Sequence, residues 1–217
     1  PLYREALEAR RPTLGNDALR LVTQMPGSAS GGLSARPRVR GGNEDETLIT
    51  FDGVRLYEPF HFRHFNSLFS TFDQRVIDSL DFYSGGYPAE FGDRLSAAMV
   101  INPQAPQEMQ DIREIGVGLF NVSYLQGGGD ADQDWLVDIR RSSLDLLASL
   151  SENDFGSPAF ADLYGRYGWN FNADDRLSLN VLLFADQMDI KNSARTETSK
   201  STYGNTYVWL KYENSFS

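Results

Sequence analysis

The sequence contains no cysteine. Disulfide scaffolds, cysteine-ligated metal sites and thiol catalysis are therefore excluded, and the lack suits an exported protein. Only two histidines occur, His61 and His64. No run approaches the roughly 18 apolar residues of a membrane-crossing helix, and no basic-then-apolar targeting segment stands before the first elements. Positive charge is scarce: 20 Lys and Arg face 30 Asp and Glu, a formal net charge of −10, which argues against a surface that wraps nucleic-acid phosphates. Phosphate-loop and dinucleotide fingerprints, a nucleophile elbow and a paired-carboxylate pattern are all missing, so an enzyme reading has no positive support. Hydrophobic residues at 41% exclude a disordered tail. What remains is a soluble chain, a trimmed product, or a membrane protein whose strands alternate and leave only a weak hydropathy signal.

The pattern changes near Gln104–Gln107. Before it the signals are mixed. "NDALRLVTQMPG" reads as a short helix capped by Asn16, with Leu19 and Val22 inward and Pro26-Gly27 at its end. "SASGGLSAR" (Ser28–Arg36) reads as a flexible loop. "TLITFDGVRLY" reads as strand, Asp-Gly turn, strand. "FDQRVIDSLDFYSGG" runs from an Asp73 cap through a helical turn into a strand, and "AAMVIN" adds another strand.

After Gln107 the sequence alternates. Trp135, Val137 and Ile139 oppose Asp138 and Arg140. Leu163, Tyr167, Trp169 and Phe171 oppose Asp162, Arg166 and Asn170. Leu177, Leu179, Val181, Leu183 and Ala185 oppose Ser178, Asn180 and Asp186. In "TYVWLKYE", Tyr207, Trp209 and Tyr212 are expected to continue the apolar face. Period two over so many segments signals strands. "GGGDADQD" and "NADD" are short connections, whereas Ser142–Phe160 and Gln187–Thr202 are long, the asymmetry of an outer-membrane barrel. A soluble β-sandwich also alternates. Trp and Tyr near strand ends, and Asp, Arg and Asn on the opposite face, suit lipid outside and a wet interior. In "IGVGLFNVSY" the apolar phase flips, through either a bulge or a tight reversal. A reversal would put the short turns at the periplasmic end and the long loops outside.

The first half resembles the plug domain of TonB-dependent outer-membrane receptors over roughly Ala18 to Asn102. The matching pieces, in order, are Pro26-Gly27, Val39-Arg40-Gly41, Phe51-Asp52-Gly53-Val54, "VIDSLDFYSGG", "YPAEFG" and "AAMVI". The resemblance implies an α+β plug domain at 1–106, followed at 107–217 by the first antiparallel strands of a transmembrane β-barrel. The roughly eight strands of the smallest barrels exceed those visible here. It implies import of a small extracellular ligand (siderophore, vitamin, saccharide or peptide) across the cell outer membrane, with TonB and outer-membrane lipid as partners, no cofactor and no nucleic acid. Ser84 stands where the family often has Arg, and the TonB-contacting segment is expected upstream of Pro1. A soluble β-rich periplasmic binding protein and a ligand sensor without transport are the alternatives.

The resemblance directs attention to two loops, Ser28–Arg38 and Tyr57–Phe69, that face ligand in that family. The candidate ligand-binding residues are Arg36, Tyr57, His61, Arg63, His64 and Asn66. Arginines suit an anionic ligand. His61 and His64 lack an obvious third ligand and read as a hydrogen-bonding surface rather than a metal site. Phe60, Phe62 and Phe65 read as anchors of the loop, and "NEDET" as a solvated turn. Arg40 is the expected plug–barrel contact.

Overall fold

The computed structural model describes residues 2–3, 17–31, 34–63, 67–92, 96–105, 111–150, 157–172, 174–191 and 198–215. The chain divides into two compact units, residues 1–104 and 105–217.

In chain order the first unit holds β1 (Leu2–Tyr3), α1 (Ala18–Val22), β2 (Ser28–Ser30), β3 (Pro37–Val39), β4 (Thr47–Phe51), β5 (Val54–Leu56), β6 (Phe60–His61), β7 (Phe69–Ser70), β8 (Ile77–Tyr83) and β9 (Ala97–Pro103). The main sheet has the order β1-β8-β9-β4-β5, with β4 and β9 parallel and the other neighbours antiparallel. β4 is buried along its whole length, which is why "TLITF" reads as an apolar run rather than an alternation. The Asp-Gly hairpin forms as expected: Asp52 at φ 50° and Gly53 at φ 79° give the left-handed pair that matches strand twist. Phe51 stacks on Phe72 with ring centroids 5.1 Å apart, over a core that includes Ile77, Leu80, Met99 and Ile101.

Two local expectations change. The cap of α1 is Asp17, whose side chain accepts from the Leu19 amide; Asn16 lies outside the described residues. Ser28–Ser30 is a strand, not a loop. Gly27 at φ 80° turns the chain so that Ser28 pairs with Val39, and the backbone ladder needs no apolar side chain. β1, paired with β8, was not legible in the sequence.

The second unit holds β10 (Arg113–Val117), β11 (Asn121–Gly129), β12 (Gln133–Ser142), α2 (Leu144–Leu150), β13 (Ala159–Asn170), β14 (Asp175–Lys191) and β15 (Thr198–Asn214). The six strands make one open antiparallel meander in sequence order. The phase flip is a tight reversal: Val117 faces Val122, and Gly118 N donates to Asn121 O at 2.9 Å. The connections after β10, β12 and β14 thus share one end of the sheet, and the short turns after β11 and β13 share the other.

Register fixes what each face carries. One cross-strand row reads Ile115, Tyr124, Ile139, Leu163, Leu183, Thr206; a row on the opposite face reads Ser123, Arg140, Asp162, Phe184, Asn205. The first face is solvent-open where neighbours do not shield it: Ile139 is 44%, Val208 62% and Leu210 67% exposed. The second is buried, including Asp138, Arg140, Asp162, Ser178 and Asn180. A soluble sandwich would show the reverse. In β15 the phase differs from expectation. Pairing with β14 puts Thr206, Val208, Leu210 and Tyr212 on the apolar face, and Tyr207 and Trp209 opposite, with Tyr207 stacked near Phe184 at 6.3 Å. Aromatics occupy both phases of β15, so only the neighbour's register decides. Gln187–Thr202 is less a long loop than two extended strands joined at 192–197.

Charges on the buried face are paired. Arg140 meets Asp162 at 2.6 Å, and Arg176 reaches Asp134 at 2.6 Å. The second pair crosses over β13 at Gly168, where a methyl group would lie 2.8 Å from both partners.

Candidate functional site

The two candidate loops are held by ordinary packing. Leu56 ends β5 in the core, and the β6–β7 ladder, Phe60 to Ser70 and His61 to Phe69, closes the base of the second loop. Phe60, Phe62 and Phe69 are buried, so the first two anchor the loop as expected; Phe65 lies outside the described residues. Ala35 N donates to Ser67 O at 2.9 Å and ties the two loops together. From below, Asp17 accepts hydrogen bonds from the Ser70 amide and from Ser70 Oγ at 2.6 Å, and Arg20 donates to Leu68 O at 2.6 Å. The helix therefore grips the second loop where it re-enters the core.

Between the loops sits a carboxylate flanked by cations. Glu58 makes an ion pair with Arg36, and Arg63 Nε lies 4.0 Å from the same Glu58 oxygen. The Arg36 guanidinium also lies 5.1 Å over the Phe60 ring, which fixes it in place. Arg55 lies 5.4 Å over the ring of Tyr57, which is 58% exposed. Glu58 adopts φ 53° immediately before Pro59, a conformation that a side chain and a following proline both disfavour. Phe62 at φ 56° and Ser67 at φ 44° extend the strain through the loop. Such clusters of left-handed residues persist only where surrounding structure holds them. The cleft lined by Arg36, Tyr57, Glu58 and Phe60 encloses about 80 Å³. That admits a few waters and is well below the roughly 300–1,000 Å³ of ligand pockets. By itself it is a contact surface.

Of the six expected ligand residues, the structure brings together Arg36, Tyr57 and Arg63. His61 is fully buried in β6. His64 and Asn66 lie outside the described residues. Arg40 is exposed, at φ 51°, with its guanidinium packed over Gly85, where a methyl group would come within 2.5 Å of Nη1. Sequence reasoning missed Glu58. A lone Glu before proline carries no signal, because its role depends on two arginines distant in sequence. It also missed Asp17 and Ser70, whose contact spans 53 positions. Among the described residues no group of His, Asp and Glu could hold a metal ion.

Residues 2–99 match the family model described as TonB-dependent Receptor Plug Domain. No curated protein matches the sequence. Among solved structures, the chain is similar to a ferric enterobactin receptor mutant of Pseudomonas aeruginosa (TM-score 0.63, 13% identity, 99% of this chain and 38% of that one). It is also similar to the FrpB iron transporter of Neisseria meningitidis (TM-score 0.61, 15% identity, 94% of this chain and 36% of that one). A third likeness is to the siderophore receptor PirA of Acinetobacter baumannii (TM-score 0.59, 16% identity, 85% of this chain and 31% of that one). The chain spans about a third of each structure's length, and at these identities the likeness is one of fold.

Proposed function

Because residues 2–99 are a TonB-dependent receptor plug domain, we propose that the chain is the plug and leading barrel strands of an outer-membrane receptor that imports ferric siderophores. Residues 1–106 act as the plug and 107–217 as the start of the barrel. The observation that carries the membrane part is the inverted amphipathicity of the second unit: exposed Ile139, Val208 and Leu210 on one face, buried Asp138, Arg140 and Asp162 on the other. In hydrocarbon every backbone group needs an internal partner, so the edges of β10 and β15 must pair and the sheet must close.

Ligand arrives from outside at Arg36, Tyr57 and Arg63. Its anionic groups compete with Glu58 for the two guanidiniums, and Tyr57 offers an aromatic face. TonB, drawing on the inner-membrane proton gradient, pulls on the plug from the periplasmic side. Arg40 is pinned beside Gly85. No covalent bond changes; the ligand's different affinities for plug states do the work. The siderophore class is favoured by what the structural neighbours are described as binding, the ferric enterobactin and siderophore receptors among them.

The test uses the full receptor in detergent, with ferric siderophores, cobalamin and oligosaccharides as probes and tryptophan quenching as the readout. Tyr57→Ala and Arg63→Ala should each weaken ferric siderophore binding without altering assembly. Unchanged affinity removes these loops from the site, and binding of another probe class alone removes the siderophore assignment.

A further inference from the structure

The turn between β10 and β11 is finished in an unusual way. Leu119 at its tip is 66% exposed, on a hairpin whose Ile115 and Val117 are 72% and 80% exposed, and Leu146 of the nearby α2 is 60% exposed. A turn in water leaves its carbonyls to solvent. Here Ser143 Oγ donates to Leu119 O at 2.6 Å, and Ser143 N donates to Phe120 O at 2.9 Å. The charge at the same end is also matched within the chain: Arg141 donates to Asp145 at 2.6 and 3.3 Å and to Ser142 O at 2.8 Å. The turn's carbonyls are thus paired within the chain, as hydrocarbon demands of a backbone reversal, and the outward-facing, half-exposed Arg141 is neutralised by Asp145.

The register gives the height of this turn. On β14 the apolar face runs from Leu177 to Ala185, with Asp175 below it and Gln187 above. On β10 and β11 the first polar residues below the apolar face are Arg113 and Gln126, which lie in the row of Val181, six residues above Asp175. The lower border therefore climbs from β14 toward β10. Strand tilt of roughly 40° at about 4.8 Å spacing produces a climb of about 4 Å per strand, or three to four residues over three strands. The upper border must climb with it. Ala185 shares its row with the outward-facing Arg141 and with Val122; by the same tilt the upper border at β11 lies about three to four residues beyond Val122, and the long Arg141 side chain, held by Asp145, reaches up toward that border from just below it. The hairpin reverses before reaching it.

We propose that the β10–β11 turn and α2 form an apolar shoulder seated in the outer margin of the bilayer, with lipid acyl chains as its occupant. This rests on the barrel reading above and continues its lipid-facing surface onto a connection that would otherwise count as an aqueous loop. Leu119 and Leu146 contact acyl chains, and Ser143 is a positioning residue that keeps the turn's carbonyls paired.

This chain holds no cysteine, so within it each introduced thiol is unique, and any cysteine elsewhere in the full receptor is first replaced by serine. The full receptor, reconstituted in phosphatidylcholine vesicles, carries a bimane probe at Leu119→Cys, Leu146→Cys, Leu183→Cys or Asp130→Cys, one at a time. Brominated acyl chains and aqueous iodide are the quenchers. The proposal expects the probes at 119 and 146 to lose emission to brominated lipid as the 183 probe does, and to resist iodide, unlike the 130 probe. Iodide quenching at 119 and 146 with lipid quenching at 183 overturns the shoulder alone. Protection from both quenchers also overturns it, since a protein then covers the patch. Iodide quenching at 183 overturns the barrel reading and the shoulder with it. As a second readout, Ser143→Ala should lower the thermal unfolding midpoint in vesicles, because no water replaces the lost donor; an unchanged midpoint counts against the proposal.

Discussion

A lysine placed at Val181 should expose the lipid face by its energetic profile. Val181 lies between Gly165 and Val208 in register, on the face that carries Leu177, Leu179, Leu183 and Ala185. A strand rises about 3.4 Å per residue, so at a tilt of about 40° each residue gains about 2.6 Å of depth. The eight steps from Leu177 to Ala185 then cover about 21 Å, close to the roughly 25 Å apolar band of such barrels. Val181 is four residues from either border and sits about 10 Å from each, near the midplane. Val181→Lys should therefore cost about 2–4 kcal/mol, and Leu177→Lys at the border only about 0–1 kcal/mol. The assay is equilibrium unfolding in guanidinium with the receptor held in phospholipid vesicles, run for lysine at 177, 179, 181, 183 and 185. The expected plot of cost against position is a dome centred on Val181. A flat profile, or a maximum at Leu177, refutes the argument that this face meets hydrocarbon of finite thickness.

Asp17→Ala removes a helix cap and leaves the Ser70 amide and hydroxyl buried without their acceptor; the local loss is about 2–4 kcal/mol, read as faster hydrogen exchange at the Ser70 amide with slower change elsewhere. Arg140→Met should destabilise the second unit by about 3–5 kcal/mol, and adding Asp162→Leu should recover most of it, because the single change strands a buried carboxylate; equal losses in both variants would contradict this. Asp130 accepts from the Asp132 and Gln133 amides in the β11–β12 turn, and these bonds hold its carboxyl below the ordinary 3.8. Its contribution is present above that value and is lost as pH falls through the lowered one, so protection of those two amides should persist at pH 5 and vanish only in the acid range. Protection lost already near neutrality would show that another group holds the turn.

Much of the second unit was legible because period two is a property of single strands: Leu163, Tyr167 and Trp169 could be placed opposite Asp162 and Arg166 before any partner was known. β15 shows the limit. With Tyr207, Trp209 and Tyr212 in both phases, hydrophobicity could not choose a face, and only the Leu179–Leu210 pairing did. In the plug, the Asp52-Gly53 turn and the Asp73 cap were readable because their chemistry is local, Asp73 accepting from the Arg75 amide as its position suggested. The geometry of the candidate site was readable only in part. Arg36, Tyr57 and Arg63 converge, but His61 looked like a surface donor in "HFRHF" and is instead a buried ladder residue, since β6 takes it inward opposite Phe69. Glu58 and Asp17 act across distant segments, which no local pattern reports.

Under the import function proposed above, Glu58 gives the ligand-facing loops a resident counter-ion. An incoming anion does not meet two bare guanidiniums; it must displace a tethered carboxylate that never diffuses away, at an effective concentration set by its own backbone. Small monovalent anions from the medium lose that contest, while a multidentate, highly charged chelate can win at several points together. The strained turn before Pro59 keeps that carboxylate in place, and so sets how strong such a ligand must be to displace Glu58 from the two arginines.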